Sequence, residues 1–308
     1  MSATKIEWCD HTINPTVGCM KCGPGCANCY AEKIAAIRVK HPNPKISGKY
    51  AGTVDEAGKW TGHIGEADYS VFERLPKTPK RIFIGSMTDL FLRGVNDAGH
   101  KAAKSLDGSL SAFTPDTMHT RIARILVQVG RYPQHTFMVL TKRPEAMKEA
   151  LDALLPRPLL NLWVGVTVCN QQEADEKIPK LLNIPAALRF ISFEPLLEVI
   201  SLWKWFPEGA CEKPAHYGAE RFTKNLAYEN GIHWVICGGE TGPDARPVHP
   251  DWVRGLRDQC VSADVPFFFK GWGEFVFDSP WHSEKIVRVG KKHAGRLLDG
   301  REWNEVPV

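Results

Sequence analysis

The chain has 308 residues, 43% hydrophobic and 24% charged, with a net charge of +4. That length exceeds an ordinary single domain but suits an α/β barrel, and the composition supplies a large core. The mild positive charge permits nucleic-acid contact without arguing for it, and no apolar run reaches the ~18 residues that mark a membrane-span candidate.

In chain order, a strand is expected near residues 5–17, directly before a cysteine-rich loop. Residues 40–75 are polar and Gly-rich and read as an excursion near the first helix. RIFIGSMTDLF (81–91) opens a series of six apolar runs. After it, PDTMHTRIARILVQVG sets Met118, Ile122, Ile125, Leu126 and Val129 at helical spacing. TFMVLTKRP (136–144) is the next strand. PEAMKEALDALL then places Met147, Leu151, Leu154 and Leu155 on one face, with Pro144 suited to the first turn. LWVGVTVCN (162–170) is followed by QQEADEKIPKLL, a helix weakened by Pro179. LRFISFEPLL (188–197) leads into a second insertion at 200–232, which begins with the aromatics of LWKWF. HWVICGGETG (233–242) precedes HPDWVRGLRDQCVSAD, with Trp252, Leu256 and Cys260 on one side, and PFFFKGWGE (266–274) is the last run.

Near-continuous apolar runs suit strands buried on both faces, and their alternation with helices reads as βα units around a parallel sheet. The expected fold is α/β, a partial or full (β/α) TIM-type barrel of about six or seven βα units. It forms a single barrel domain over 1–308, with polar insertions near 40–75 and 200–232 and a basic C-terminal extension near 285–308. Each run ends in a polar signature: SMTDLF, TKRP, VTVCN, SFEPLL, GGETG and FKGWG. Packing does not ask for polar residues at six strand ends, whereas a barrel builds its active site there.

GCMKCGPGCANCYAE carries Cys19, Cys22, Cys26 and Cys29 within eleven residues. MSATKIEWCDHT lacks the order of a signal peptide, so a cytoplasmic setting is expected. Disulfides seldom persist there, and nine cysteines is an odd number, so metal or redox chemistry is favoured. Three thiolates hold three irons of a 4Fe–4S cluster and leave the fourth iron open. Cys22-x3-Cys26-x2-Cys29 is the commonest radical S-adenosylmethionine (SAM) spacing, and Cys19-x6-Cys26-x2-Cys29 serves with a longer first arm. Two C-x2-C pairs also resemble zinc knuckles, so Zn2+ is the alternative metal, although only three residues separate them.

IEWCDHTINPTVGC…GCANCYAEK, then FIGSMTDLF, LTKRPE, WVGVTVCNQ, FISFEPLL, GGETGPDARPVHPDWVRGLRDQC, PFFFKGWGE and KKHAGRLLDGREWNEVP resemble, in order, the phage Gp37/Gp68 family (DUF5131). That family looks like a divergent branch of the radical SAM superfamily, distantly similar to spore photoproduct lyase. Its usual three cysteines match Cys19, Cys26 and Cys29. The chain departs from it at Cys22, where members carry another residue, and at Cys9, where they carry Thr or Ser. The resemblance therefore names Cys19 as first ligand, and the commonest superfamily spacing names Cys22.

The resemblance implies a phage- or prophage-encoded enzyme in the host cell cytoplasm, with a 4Fe–4S cluster and SAM as cofactors. It also implies an external electron donor and a nucleic-acid base or modified nucleotide of DNA as substrate. Reduction would cleave a carbon–sulfur bond of SAM and release a 5′-deoxyadenosyl radical. Tyr30 matches an aromatic that packs near the adenine, or is a core tyrosine at a helix start. Ser86, Thr88 and Asp89 sit where such barrels contact the SAM amino group; a helix N-cap is the bland alternative.

Lys142 and Arg143 suit a carboxylate or phosphate, or form a solvated pair. Glu194, between a buried strand and a proline, is costly unless paired and suits a ribose or substrate. Glu240 in GGETG supplies a carboxylate beside backbone that a ligand can approach, with Arg246 and His249 after it. Cys169 is a hydrogen-donor candidate, against a buried structural cysteine. Lys270 and Trp272 end the last run, and Trp272 can stack on a base. Arg288, Lys291, Lys292 and Arg296 belong to the concentrated basic stretch, which suits phosphates or solvent, while Trp303 predicts that this tail docks. Two other classes compete: a non-catalytic, metal-stabilised nucleic-acid-binding protein, and a zinc hydrolase, for which no HxH or HExxH motif is present.

Overall fold

The computed structural model describes Thr4 and residues 6–95, 117–206, 231–277 and 286–307. Its seven-stranded parallel sheet comprises β1 (His11–Ile13), β2 (Arg81–Ile84), β3 (Thr136–Thr141), β4 (Leu162–Thr167), β5 (Leu188–Phe193), β6 (Trp234–Gly238) and β7 (Phe267–Gly271). Each strand lies beside its successor in the chain. The first expected strand and all six apolar runs are therefore strands.

Parallel neighbours need a crossover of a dozen residues or more, usually helical. Here α1 (Tyr30–Arg38) and α2 (Pro44–Lys49) follow β1, α3 (Met118–Arg131) follows β2, and α4 (Pro144–Leu154) follows β3. Then α5 (Gln171–Leu182) follows β4 and α6 (Pro250–Ala263) follows β6. An antiparallel pair, β8 (Phe275–Phe277) with β9 (Ile286–Arg288), and a short α7 (Lys291–Ala294) come after β7.

Local chemistry explains these boundaries. Every residue of β5 and β6 is buried, which is why, Arg189 and Ser192 apart, their sequences are apolar without alternation. Thr117 caps α3 and Asn170 caps α5 through side-chain oxygens that accept N–H bonds, while Pro144 and Pro250 occupy first-turn positions. The expected weakness at Pro179 does not end α5. Proline removes the N–H that would reach the carbonyl one turn back, and its ring crowds that carbonyl. Ala174, Ile178 and Leu181 are fully buried on the same helix, and that burial offsets the loss.

The chain divides into two compact units, Met1–Gly165 with Ile184–Ala187, and Val166–Asn183 with Leu188–Val308. In the first unit the 40–75 excursion is built into the fold. Its Tyr50 and Val54 pack with Val17 and with Ala31 and Ala35 of α1. Of the second insertion, Trp203–Trp205 forms a 3-10 turn, and residues 207–230 lie outside the described residues.

Candidate functional site

In the first unit β1 and β2 end in register, Ile13 opposite Ile84. Pairing resumes beyond them. The Gly18 N–H donates to the Met87 carbonyl at 3.2 Å, and the Thr88 hydroxyl donates to the Gly18 carbonyl at 2.7 Å. Gly18 has φ +104°, and a Cβ on it would stand 2.2 Å from the His63 carbonyl oxygen. A side chain is excluded there twice, by conformation and by space. From the excursion, Gly62 N–H donates to the Cys19 carbonyl at 3.1 Å and Gly65 N–H to that of Val17 at 2.9 Å. The cysteine loop is thus held on both sides by backbone.

Beyond Cys19 the chain makes a 3-10 turn over Pro24–Cys26, and Cys29 is the N-cap position of α1. Glu32, in the first turn of α1, is 3% exposed. Its carboxylate accepts from the Trp60 N–H at 3.0 Å and pairs with Lys21 of the loop at 3.0 Å and with Lys59 at 3.5 Å. A buried carboxylate is tolerated only with such partners, so Glu32 pins the loop and the excursion together.

The strand-end residues converge on the same loop. Asp89 is 7% exposed and accepts four hydrogen bonds: Phe91 N–H at 3.1 Å, the Thr141 hydroxyl at 2.7 Å, Lys142 N–H at 3.1 Å and the Arg143 guanidinium at 2.7 Å. Arg143 also donates to the Met20 carbonyl at 2.7 Å, so it ties the cysteine loop to Asp89. The Tyr30 hydroxyl donates to the Ser86 carbonyl at 2.7 Å while its ring stays 49% exposed. The Asn14 amide donates to the Ser86 hydroxyl at 3.0 Å and its oxygen accepts the Met87 N–H at 2.9 Å. Tyr30, Ser86, Thr88, Asp89 and Arg143 are therefore all joined to the cysteine loop or the residues leading into it. Asp89 acts through its neighbours, because its lone pairs are already engaged.

No disulfide joins the eight cysteines among the described residues. Burial pushes the Cys19 thiol up to about 12, with the Asp89 carboxylate adding to the rise and Arg143 opposing it. Cys22 and Cys26 share a hydrogen bond. That bond draws the Cys26 thiol down to about 5 against its burial, with Lys142 assisting, and carries Cys22 upward. Cys26 is thus drawn toward the thiolate form that soft metals bind, with Lys142 beside it. As the side chains stand, however, no group of three or more His, Cys, Asp or Glu among the described residues is placed to hold a metal ion.

The second unit carries a separate set of strand-end residues. Glu194 ends β5 and pairs with Lys270 of β7 at 2.6 Å, and the Ser192 hydroxyl donates to it at 3.1 Å. Gly238 makes room for this pair: a Cβ there would stand 3.2 Å from the Lys270 Cβ and 3.3 Å from the Glu194 carboxylate. Burial pushes the neighbouring Cys237 thiol up, and the Glu194 charge adds to it.

Glu240 forms a two-pronged pair with Arg246 at 2.7 and 2.8 Å and accepts the Arg246 N–H at 2.8 Å. His249 N-caps α6. Cys169 is fully buried, and its N–H donates to Glu173 at 2.8 Å in the capping of α5, which favours its structural role.

The basic extension is largely spent on the fold. Arg288 donates to the Gly242 and Pro243 carbonyls, and Arg296 donates to the Phe269 carbonyl and to Asn304. Lys291 and Lys292 are exposed on α7. The Trp272 ring packs edge-on against Phe269 and donates to the Leu297 carbonyl at 2.9 Å. Trp303 is 2% exposed, so the tail docks as expected. It lies antiparallel along β7, with Phe269 N–H donating to the Trp303 carbonyl at 2.9 Å and Trp234 Nε1–H to that of Glu305 at 2.8 Å.

Sequence reasoning missed Asn14, Glu32 and Lys21. Asn14 had a signal, an Asn-Pro step inside the stretch expected as a strand, where such a step marks a turn. Glu32 had one too, a charge on the inner face of the helix that follows the cysteines.

These features define a mixed α/β protein whose cysteine-rich loop is fastened to the C-terminal ends of its first parallel strands. The chain belongs to the family described as Protein of unknown function (DUF5131), whose model matches residues 3–106 and 108–307. No curated protein and no solved structure matches it. Among the described residues no helix is long and apolar enough to cross a membrane.

Proposed function

We propose that the loop holds a 4Fe–4S cluster through Cys19, Cys26 and Cys29. In this reading the protein is a radical SAM-type enzyme and its sheet a partial β/α barrel of that superfamily. The observation that carries the reading is the fastening of the loop region to the ends of β2 and β3 through Thr88, Tyr30 and Arg143. A loop tied at three points is held against the strand ends, which a merely stapling loop does not require. Exposure favours Cys19 over Cys22 as first ligand: Cys22 is exposed, Cys26 is buried, and Cys19 and Cys29 are half-buried.

When bound, cluster and SAM would supply one-electron cleavage of a carbon–sulfur bond. The chain's own residues do the holding. Asp89 and Arg143 fix the loop, Lys142 offsets thiolate charge, and the exposed Tyr30 ring offers a face to a base. The substrate class is a nucleic-acid base, and the electron comes from an external donor.

Reconstitution without oxygen tests this. About four irons and four sulfides per chain are expected, with release of 5′-deoxyadenosine after dithionite and SAM are added. Cys19→Ala, Cys26→Ala and Cys29→Ala each lose the iron, and Cys22→Ala keeps it. Zinc in place of iron, or a cluster lost only in Cys22→Ala, would overturn the assignment.

A further inference from the structure

On the flank of the first unit, a cavity of about 380 Å³ opens among β1, α1, α2 and a 3-10 turn over Tyr69–Val71. Its floor is apolar, from Ile13, Ile46, Val71 and Met87. Around it stand four cations: Arg38 at the end of α1, Lys45 and Lys49 on α2, and Arg74 beyond the turn. Among the described residues no carboxylate lines it.

The nearest acidic partner, Asp68, pairs with Arg74 at 3.4 Å from outside the lining. The Lys49 ammonium donates to the Asn14 carbonyl at 2.7 Å, and the Arg38 guanidinium lies over the Tyr50 ring at 5.8 Å. Burial holds the Lys49 ammonium below its ordinary pKa; Asp68 opposes that fall, and Arg74 and Arg38 add to it. The four cations outnumber the Asp68 carboxylate and repel one another, and an anion relieves them.

An apolar floor beneath a cationic rim suits a ligand with a flat apolar body and an anionic end, and the volume is of the size that takes a small cofactor. Phosphate, with more acceptor oxygens than a carboxylate, can use an Arg fork and Lys point charges together. We infer that this pocket is a second ligand site, which takes the phosphate of a nucleotide, free or within a strand, with the base against the apolar floor. The inference does not depend on what the cysteine loop holds.

The test uses the full chain, with adenosine 5′-monophosphate, adenosine and a single-stranded 12-mer deoxyoligonucleotide as probes, followed by calorimetry. The monophosphate is expected to bind at least about tenfold tighter than adenosine, a gap of about 1.4 kcal/mol, and to weaken with salt. In the Arg38→Gln/Lys45→Gln double variant that gap closes. Both residues are exposed, so the fold is retained, and circular dichroism checks it.

An oligonucleotide that loses affinity by the same factor places a strand phosphate in the pocket. An oligonucleotide that is unaffected while the monophosphate is lost assigns a free nucleotide. Equal binding of adenosine and its monophosphate, or a double variant that binds every probe as the wild type does, would overturn the inference. Binding is expected with or without iron in the preparation, so its failure is distinct from failure of the iron–sulfur reading.

Discussion

Replacing Asp89 and Arg143 singly and together isolates the pair that ties the cysteine loop to β3. The ions stand 2.7 Å apart with side chains 8% and 18% exposed. At an effective dielectric of about 20, their attraction is about 6 kcal/mol. Desolvating both ions takes back several kcal/mol, so a coupling energy of about 2 kcal/mol is expected. The single variants are not equivalent. Asp89→Ala strands four donors, including a partly buried guanidinium, and is expected to cost about 4 kcal/mol. Arg143→Met leaves Asp89 three donors and is expected to cost about 2 kcal/mol.

Urea unfolding followed by tryptophan fluorescence measures all four proteins of the cycle. Arg143→Met also releases the Met20 carbonyl, so tryptic cleavage after Lys21 in the loosened loop is expected to speed up in that variant. A coupling below about 0.5 kcal/mol, or Arg143→Met proving costlier than Asp89→Ala, would refute the reasoning.

Gly18→Ala forces φ +104° on a side chain that meets the His63 carbonyl at 2.2 Å, and is expected to cost about 3 kcal/mol. Gly300→Ala, with φ +81° but open space around it, is expected to cost about 1 kcal/mol, and thermal melts of the two compare space with conformation directly. At Asp299 burial opposes ionisation, but hydrogen bonds from Arg257 and Arg254 outweigh it and hold the carboxyl below its ordinary 3.8. A depressed carboxyl stabilises above that value and loses its contribution as pH falls through the lowered one. The stability of Asp299→Asn should therefore trail the wild type at pH 7, by under about 1 kcal/mol for a carboxylate 39% exposed, and converge with it towards pH 2. A gap that persists in acid would show that the charge is not its source.

The elements were legible because each is written locally. WVICG, and LRFISF apart from Arg189 and Ser192, are apolar because both faces are covered, and the helices announce themselves by spacing and by Thr117, Pro144, Asn170 and Pro250 at their starts. The pairing of strand ends was not legible, because it joins residues far apart in the chain. Nothing in SMTDLF says that Thr88 will reach back to Gly18, or that Asp89 will be consumed by Thr141, Lys142 and Arg143. The 40–75 segment was the least legible. Its polarity marks a solvent-facing excursion, yet its Gly62, Gly65 and Trp60 backbones clamp the cysteine loop and helix α1, and backbone contacts leave no trace in side-chain hydropathy.

The docking of Trp303–Glu305 along β7 has a temporal side. Ribosomes deliver β7 before its covering strand, and Trp303 lies 32 positions beyond Gly271. At roughly 5–20 residues per second, that is an interval of roughly 2–6 s. Throughout it a nascent chain offers an unpaired edge built on three consecutive phenylalanines, Phe267 to Phe269, which is the kind of edge that recruits other chains. Codon choice between 272 and 303 thus governs how long the chain stays adhesive, and slower decoding there should raise the insoluble fraction without altering a single residue.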